Sequence, residues 1–292
     1  MKIVFSRKCL EYRAERHPES PERILYIYEF LKEKGLEFVE AKPCEDEDLL
    51  RVHSKSYLER VKKGEIFDLD TPNLPNIYEY AKLSAGAAVQ AMKISLEGEK
   101  AFSLMRPPGH HAGKNGIALK ASSLGFCYFN NMAIATTKAL DFCDKVAIID
   151  VDYHHGNGTQ EIFLGNERVL YVSLHAFPAY PGTGEKSEEN CLNYPLSHEV
   201  SREEYLETLK KACEEVKRFN SSLIGVSFGA DTYKNDPVGK LNLEKEDYFE
   251  IGKIIASLEK PTFAVMEGGY SLKELPECVY NFLKGMENID FI

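Results

Sequence analysis

From Val146 to Gly158 the chain reads VAIIDVDYHHGNG, a β-branched apolar run that ends in two aspartates, two adjacent histidines and two glycines. Side chains alternate along a strand, so Asp150 and Asp152 leave the same face, and an extended continuation adds His154. Asp152 and His154 then offer an oxygen and a nitrogen at chelating spacing. Two carboxylates at a buried strand end are costly unless a cation lies between them. The plainer alternative is a hydrogen-bonded network, because buried polar groups are normally satisfied by the structure itself.

Three other stretches bear on that choice. RPPGHHAG places His110 and His111 on a Pro/Gly loop, GADTYKNDP places Asp231 just past an apolar run, and EGGYS places Tyr270 behind two glycines. Taken singly they read as turn glycines, a capping aspartate and a core tyrosine. Together they supply the parts of a metal-dependent hydrolase. Asp152, His154 and Asp231 are three ligands that leave one position open. Adjacent histidines can move protons, and a tyrosine hydroxyl can donate to an oxyanion.

The elements that must position these residues are legible as well. Apolar runs at Lys2–Ser6, Ala101–Met105, Val146–Asp152, Val169–His175, Leu223–Gly229 and Thr262–Met266 have the continuous hydrophobicity of strands covered on both faces. Helical patterns lie between them: one opens at Ser20-Pro21 and stops at Gly35, and others cover Ile77–Leu96, Arg202–Phe219 and Glu244–Leu258. The alternation predicts an α/β fold of one domain over residues 1–292, with a mostly parallel central sheet flanked by helices. Ligands of such sheets collect at the carboxyl ends of strands, which is where the polar clusters fall.

Composition narrows the classes. The 292 residues, 43% hydrophobic, can bury a large core, and the net charge of −10 argues against a broad nucleic-acid surface. Seven cysteines without a CxxC pair fit free thiols better than a disulfide frame. The start, MKIVFSRKC, is too short in apolar residues for a secretory leader, and no run is long enough for a membrane helix. The expectation is a cytoplasmic protein that touches neither membrane nor nucleic acid.

The ordered motifs HPESPER (17–23), RVHSKSY (51–57), LDTP (69–72), RPPGHHA (106–112), GFCYFNN (125–131), DVDYHHGNGTQEIF (150–163), VSLHAFPAYPGTG (172–184), GADTYKNDP (229–237) and EGGYS (267–271) resemble the histone deacetylase superfamily, which includes acetylpolyamine amidohydrolases and acetoin-utilisation proteins. The resemblance runs nearly end to end. It implies an arginase/deacetylase fold and removal of acyl groups from acyl-lysine or small acylated amines by metal-activated water, with Zn2+ or iron(II) as the metal. By it, Asp152, His154 and Asp231 are the metal ligands. His110, steadied by Asp150, activates the water, His111 protonates the leaving amine and Tyr270 polarises the acyl carbonyl. Gly125, Phe126 and Tyr180 match the substrate channel and Asp70 its rim. A K+ ion is implied at Asp150, Asp152, His154, Ser173 and Leu174.

Two departures and two rivals matter. Behind the second histidine stands Asn157 where class I enzymes have an aspartate, which leaves the division of proton transfer between His110 and His111 open. The position of an acidic gatekeeper in polyamine-selective members is Val238, which disfavours a cationic polyamine. Arginase-like binuclear manganese sites need further carboxylates, and Gly156 and Tyr233 stand in their places. A silent acyl-lysine binder is a second rival, opposed by the presence of His110, His111 and Tyr270 together.

Overall fold

A computed structural model describes residues 1–66 and 68–288. Among the described residues ten strands run as β1 (Lys2–Phe5), β2 (Glu37–Glu40), β3 (Ala101–Ser103), β4 (Ala112–Gly113), β5 (Gly116–Ile117), β6 (Val146–Asp150), β7 (Val169–Ala176), β8 (Cys191–Leu196), β9 (Leu223–Phe228) and β10 (Thr262–Met266). The helices are α1 (Pro21–Glu33), α2 (Asp46–Leu50), α3 (Lys55–Lys63), α4 (Ile77–Leu96), α5 (Asn131–Ala139), α6 (Asn157–Phe163), α7 (Arg202–Phe219), α8 (Asp247–Ala256) and α9 (Leu275–Glu287).

Eight strands form one sheet in the order β2-β1-β3-β10-β9-β6-β7-β8, parallel at every pairing. β4 and β5 make a separate antiparallel ladder. The runs read as strands from continuous hydrophobicity are the inner members, and β6, β7, β9 and β10 are buried at every position. The two edge strands carry no such run. β2 is Glu-Phe-Val-Glu with its glutamates exposed, and β8 includes Asn193 and Pro195. Charge and proline are what an edge tolerates, because one side of it needs no ladder partner.

Helices α4 and α7 keep the boundaries expected from their patterns, while α8 is shorter, beginning at Asp247 rather than Glu244. Asp247 accounts for the difference: its Oδ2 accepts the Glu244 N–H at 2.7 Å, which holds the approach as a turn. Ser20 stands at the N-cap of α1 without a side-chain capping bond, and Pro21 at the first helical position starts the helix instead. Among the described residues no helix is long and apolar enough to cross a membrane. All seven cysteines are free and buried.

Candidate metal centre and channel

Four strands adjacent in the middle of the sheet, β3, β10, β9 and β6, deliver the polar loops to one place. His110 and His111 follow β3, Glu267 to Tyr270 follow β10, Asp231 follows β9, and Asp150 to His154 end β6. Neighbouring parallel strands lie about 4.8 Å apart, so residues distant in sequence share one short stretch of sheet edge.

The extended conformation does not persist past Asp150. β6 stops there and residues 152–154 form a bend, with the Asp152 N–H on Asp150 Oδ1 at 3.2 Å and the His154 N–H on Asp152 Oδ1 at 2.8 Å. The carboxylates are therefore brought together by side-chain turns, not by strand alternation. Asp152, His154 and Asp231 still each present a ligand atom within 4.8 Å of the others, all three buried, and they are the cluster of that kind among the described residues. His154 Nδ1 lies 3.1 Å from Asp152 Oδ1 and 3.0 Å from Asp231 Oδ2. The Gly268 N–H donates to Asp152 Oδ2 at 2.8 Å and the Tyr153 N–H to Asp231 Oδ1 at 3.0 Å.

Two observations fit this trio to a cation. Asp231 Oδ2 is buried with no hydrogen bond from the described residues, although it faces His154 Nδ1 at 3.0 Å. Proton affinities are also displaced in the way that close-set carboxylates demand. Burial disfavours charge on His154, yet Asp152 and Asp231 outweigh it and push the ring up to about 9. Burial and the neighbouring Asp152 push Asp231 up to about 6. Protons thus occupy the place where a divalent ion would neutralise two buried acids. Among the described residues no further carboxylate joins the cluster, which favours one ion over the binuclear alternative.

The two histidines differ in their partners. His110 Nδ1 is 3.1 Å from Asp150 Oδ2, and its Nε2 is 3.7 Å from Asp152 Oδ1. Burial lowers its proton affinity, but Asp150 and Asp152 outweigh that and raise it to about 10. His111 Nδ1 is 2.8 Å from Asn157 Oδ1, while the same amide donates to the Ala118 carbonyl at 2.9 Å. That second bond fixes the amide orientation, so His111 Nδ1 carries the proton and its Nε2 is bare. Burial, with His110 and His154 nearby, holds His111 well below the usual imidazole range.

A cleft of about 330 Å³ opens over the trio, its wall including Asp70, Gly125, Phe126, Tyr180, Val238 and Tyr270. Gly125 has φ +54°, and a Cβ there would lie 2.4 Å from the His111 ring, so both backbone and space call for glycine. Phe126 meets Tyr270 edge-on at 5.9 Å, and Tyr180 meets His111 edge-on at 5.0 Å. Asp70 accepts from the Thr71 and Ser123 hydroxyls at the rim. The positions assigned to potassium are adjacent too: Asp150 is in register with Ser173, and Leu174 follows on β7. The Ser173 hydroxyl pairs with His175 Nδ1 at 2.8 Å.

Sequence reasoning missed several side chains that hold this arrangement. Tyr171 donates to Asp150 Oδ2 at 3.0 Å, and Glu267 Oε2 accepts the Gly109 and His110 N–H groups at 2.7 and 3.2 Å. Arg23, 1% exposed, donates to the Glu267 and Gly269 carbonyls at 2.6 Å each and lies 4.5 Å from the Tyr270 ring centre. Beside it Arg106 pairs with Glu19 at 2.7 Å. Glu267, Arg23 and Arg106 sit inside motifs quoted above. Tyr171 had a weaker signal, as the first of three alternating polar residues on β7, with Ser173 and His175.

Comparison with known proteins agrees with the geometry. A family model described as the histone deacetylase domain matches residues 17–286. A probable deacetylase of Archaeoglobus fulgidus is 37% identical, over 99% of this chain and 86% of its own. Acetylpolyamine amidohydrolase 1 of Pseudomonas aeruginosa is 39% identical over 76% of this chain and 66% of its own. The crystal structure of an acetylpolyamine aminohydrolase from Burkholderia pseudomallei superposes with a TM-score of 0.88 at 26% identity, covering 98% of each chain.

Proposed function

The chain belongs to the histone deacetylase family and is a hydrolase acting on amides, and from that premise we propose that it deacylates acyl-lysine side chains or small acylated amines with one bound Zn2+ or iron(II). The observation that carries this is the buried Asp152–His154–Asp231 trio, with an unsatisfied Asp231 oxygen, beneath a cleft lined by His110, His111 and Tyr270.

In this reading Asp152, His154 and Asp231 hold the ion, which supplies Lewis-acid polarisation of the acyl carbonyl and lowers the proton affinity of water. The residues of the chain do the rest. Tyr270 donates its hydroxyl to the carbonyl oxygen as charge develops there. Burial holds that hydroxyl well above the ordinary phenol range, so it keeps its proton to donate. His110 takes the proton of the attacking water through Nε2, because Asp150 stabilises the charged ring that results. With Asp152 engaged by an ion, Asp150 and, more weakly, Glu267 would oppose the burial that disfavours charge on His110, so that the ring could accept and return a proton. His111, kept neutral by burial and with its proton on Nδ1 toward Asn157, accepts an N–H of the departing nitrogen at its bare Nε2 and so orients it, while His110 returns to that nitrogen the proton taken from water. Phe126 and Tyr180 wall off a stem of methylenes, and Asp70 accepts an N–H from the substrate at the rim. A K+ ion at Asp150, Asp152, His154, Ser173 and Leu174 belongs to the same proposal.

For the substrate, the P. aeruginosa and B. pseudomallei relatives are named for acetylpolyamines, which supports a small acylated amine. Val238 at the mouth offers a second cationic group no partner, which supports an acyl-lysine or a mono-cationic amine. A turnover panel of acetyl-lysine peptides, acetylpolyamines and longer acyl-lysines, on zinc-loaded protein, decides between them. Tyr270→Phe is expected to retain the metal and to lower kcat by about 10²–10³-fold. Unchanged turnover by that variant would remove Tyr270 from the mechanism, and absence of turnover in the wild type would favour a recognition module.

A further inference from the structure

We propose that Asp236 is a positioning residue for the deacylation, clipping the loop that carries Tyr270 to the loop that carries Asp231 and Val238. The inference rests on the deacylase reading above. Asp236 is 5% exposed, and its carboxylate accepts four backbone N–H groups. Oδ2 takes those of Tyr270 at 2.6 Å and Ser271 at 3.0 Å. Oδ1 takes those of Val238 at 2.9 Å and Gly239 at 3.1 Å.

An aspartate that served only to close its own turn would use the Val238 and Gly239 N–H groups and leave its other oxygen free. Here the other oxygen reaches residues 34 and 35 positions away in the chain. The turn itself rests on the candidate metal ligand, since a Cβ on Gly239 would lie 2.6 Å from the Asp231 carbonyl oxygen and 2.9 Å from its Cβ. Together with the Ala230 N–H on the Gly268 carbonyl at 3.1 Å, Asp236 therefore sets the distance between the backbone of Tyr270 and that of Asp231.

The ring contacts of Tyr270 do not set that distance. Arg23 lies 4.5 Å from the ring centre and Phe126 meets it edge-on at 5.9 Å, contacts that fix tilt but allow sliding in the ring plane. How far the hydroxyl reaches over the trio is decided by where the backbone begins. Charge-assisted bonds to a carboxylate are the stronger kind, and a displacement of about 1 Å costs up to about 10²-fold in rate. All four hydrogen bonds go to backbone, so Asp236 acts through Tyr270 and not on substrate.

The test is a double-mutant cycle on the zinc-loaded full chain, with an acetylated lysine peptide and an N-acetylated diamine as substrates. Asp236→Asn keeps the shape but replaces one acceptor oxygen with a donor. We expect it to lower kcat by about 10–100-fold with KM within about threefold. In the Tyr270→Phe background the same change is expected to cost less than about twofold, because the hydroxyl it positions is gone. Equal losses in both backgrounds would mean a general structural role and overturn the inference. A second measurement needs no variant: in the wild-type protein the Tyr270 and Ser271 amides are expected to exchange hydrogen as slowly as those of β10, and free-peptide rates there would overturn the clip. Wild-type protein that turns over no acyl-amine overturns the deacylase reading and this inference with it. Turnover with additive losses overturns this inference alone.

Discussion

A Cβ on Gly268 would come within 2.4 Å of Asp231 Oδ2 and 2.6 Å of Asp152 Oδ2, and one on Gly229 within 2.0 Å of Asp152 Oδ2. Carboxylates that close to backbone can move aside only by giving up the bonds that place them, Asp152 that from the Gly268 N–H and Asp231 that from the Tyr153 N–H. Gly268→Ala is therefore expected to push both acids off their positions and lower zinc affinity at least about tenfold, the size seen when support around a metal ligand is lost. Metal content after dialysis against a competing chelator reads this directly, and a fully loaded alanine variant would show that the trio does not hold the ion. Asp152, His154, Asp231, His110 and Tyr270 were all legible as residue types at strand ends. Arg23, Tyr171 and Glu267 were not given roles, because their contribution is a bond to a backbone or side chain far away in the chain.

Elements are tied together by buried neutral histidine as well as by sheet. His53, just before α3, donates from Nδ1 to the Gly113 carbonyl of β4 and accepts from the Asn130 N–H at the start of α5, both at 2.9 Å. A ring used as acceptor on one nitrogen must stay neutral, and burial lowers His53 to about 4. The folded value lies below the ordinary 6.5, so the unfolded chain binds the proton first. Stability is then full above about pH 6.5 and is lost as pH falls toward 4. The share of His53 is about 2 kcal/mol between pH 7 and pH 5. Denaturant unfolding at the two pH values measures the slope, and His53→Gln is expected to reduce it by that share, leaving the part that buried His111, His155 and His175 contribute. A slope unchanged by the substitution would mean that His53 is not the group that titrates.

For the molecule as a whole, two buried carboxylates and an imidazole held by protons are a standing cost that a divalent ion relieves. Zinc at about a thousand times its dissociation constant adds about 4 kcal/mol to the native state, so Tm is expected to rise by about 5–10 °C on loading and to fall again with chelator. A Tm indifferent to stoichiometric zinc would leave the trio as a polar network. The sequence alone determined the α/β class, the inner strands and the chemical kinds at their ends, since these follow from runs of hydrophobicity and from residues too polar to be buried without purpose. Edge strands β2 and β8 escaped it because an edge carries no such run. Only the tertiary structure decided which ends meet. The order β3-β10-β9-β6 places Asp152, Asp231 and Tyr270 side by side. That order comes from packing helices on both faces of a twisted sheet, a global balance that no local stretch of sequence records.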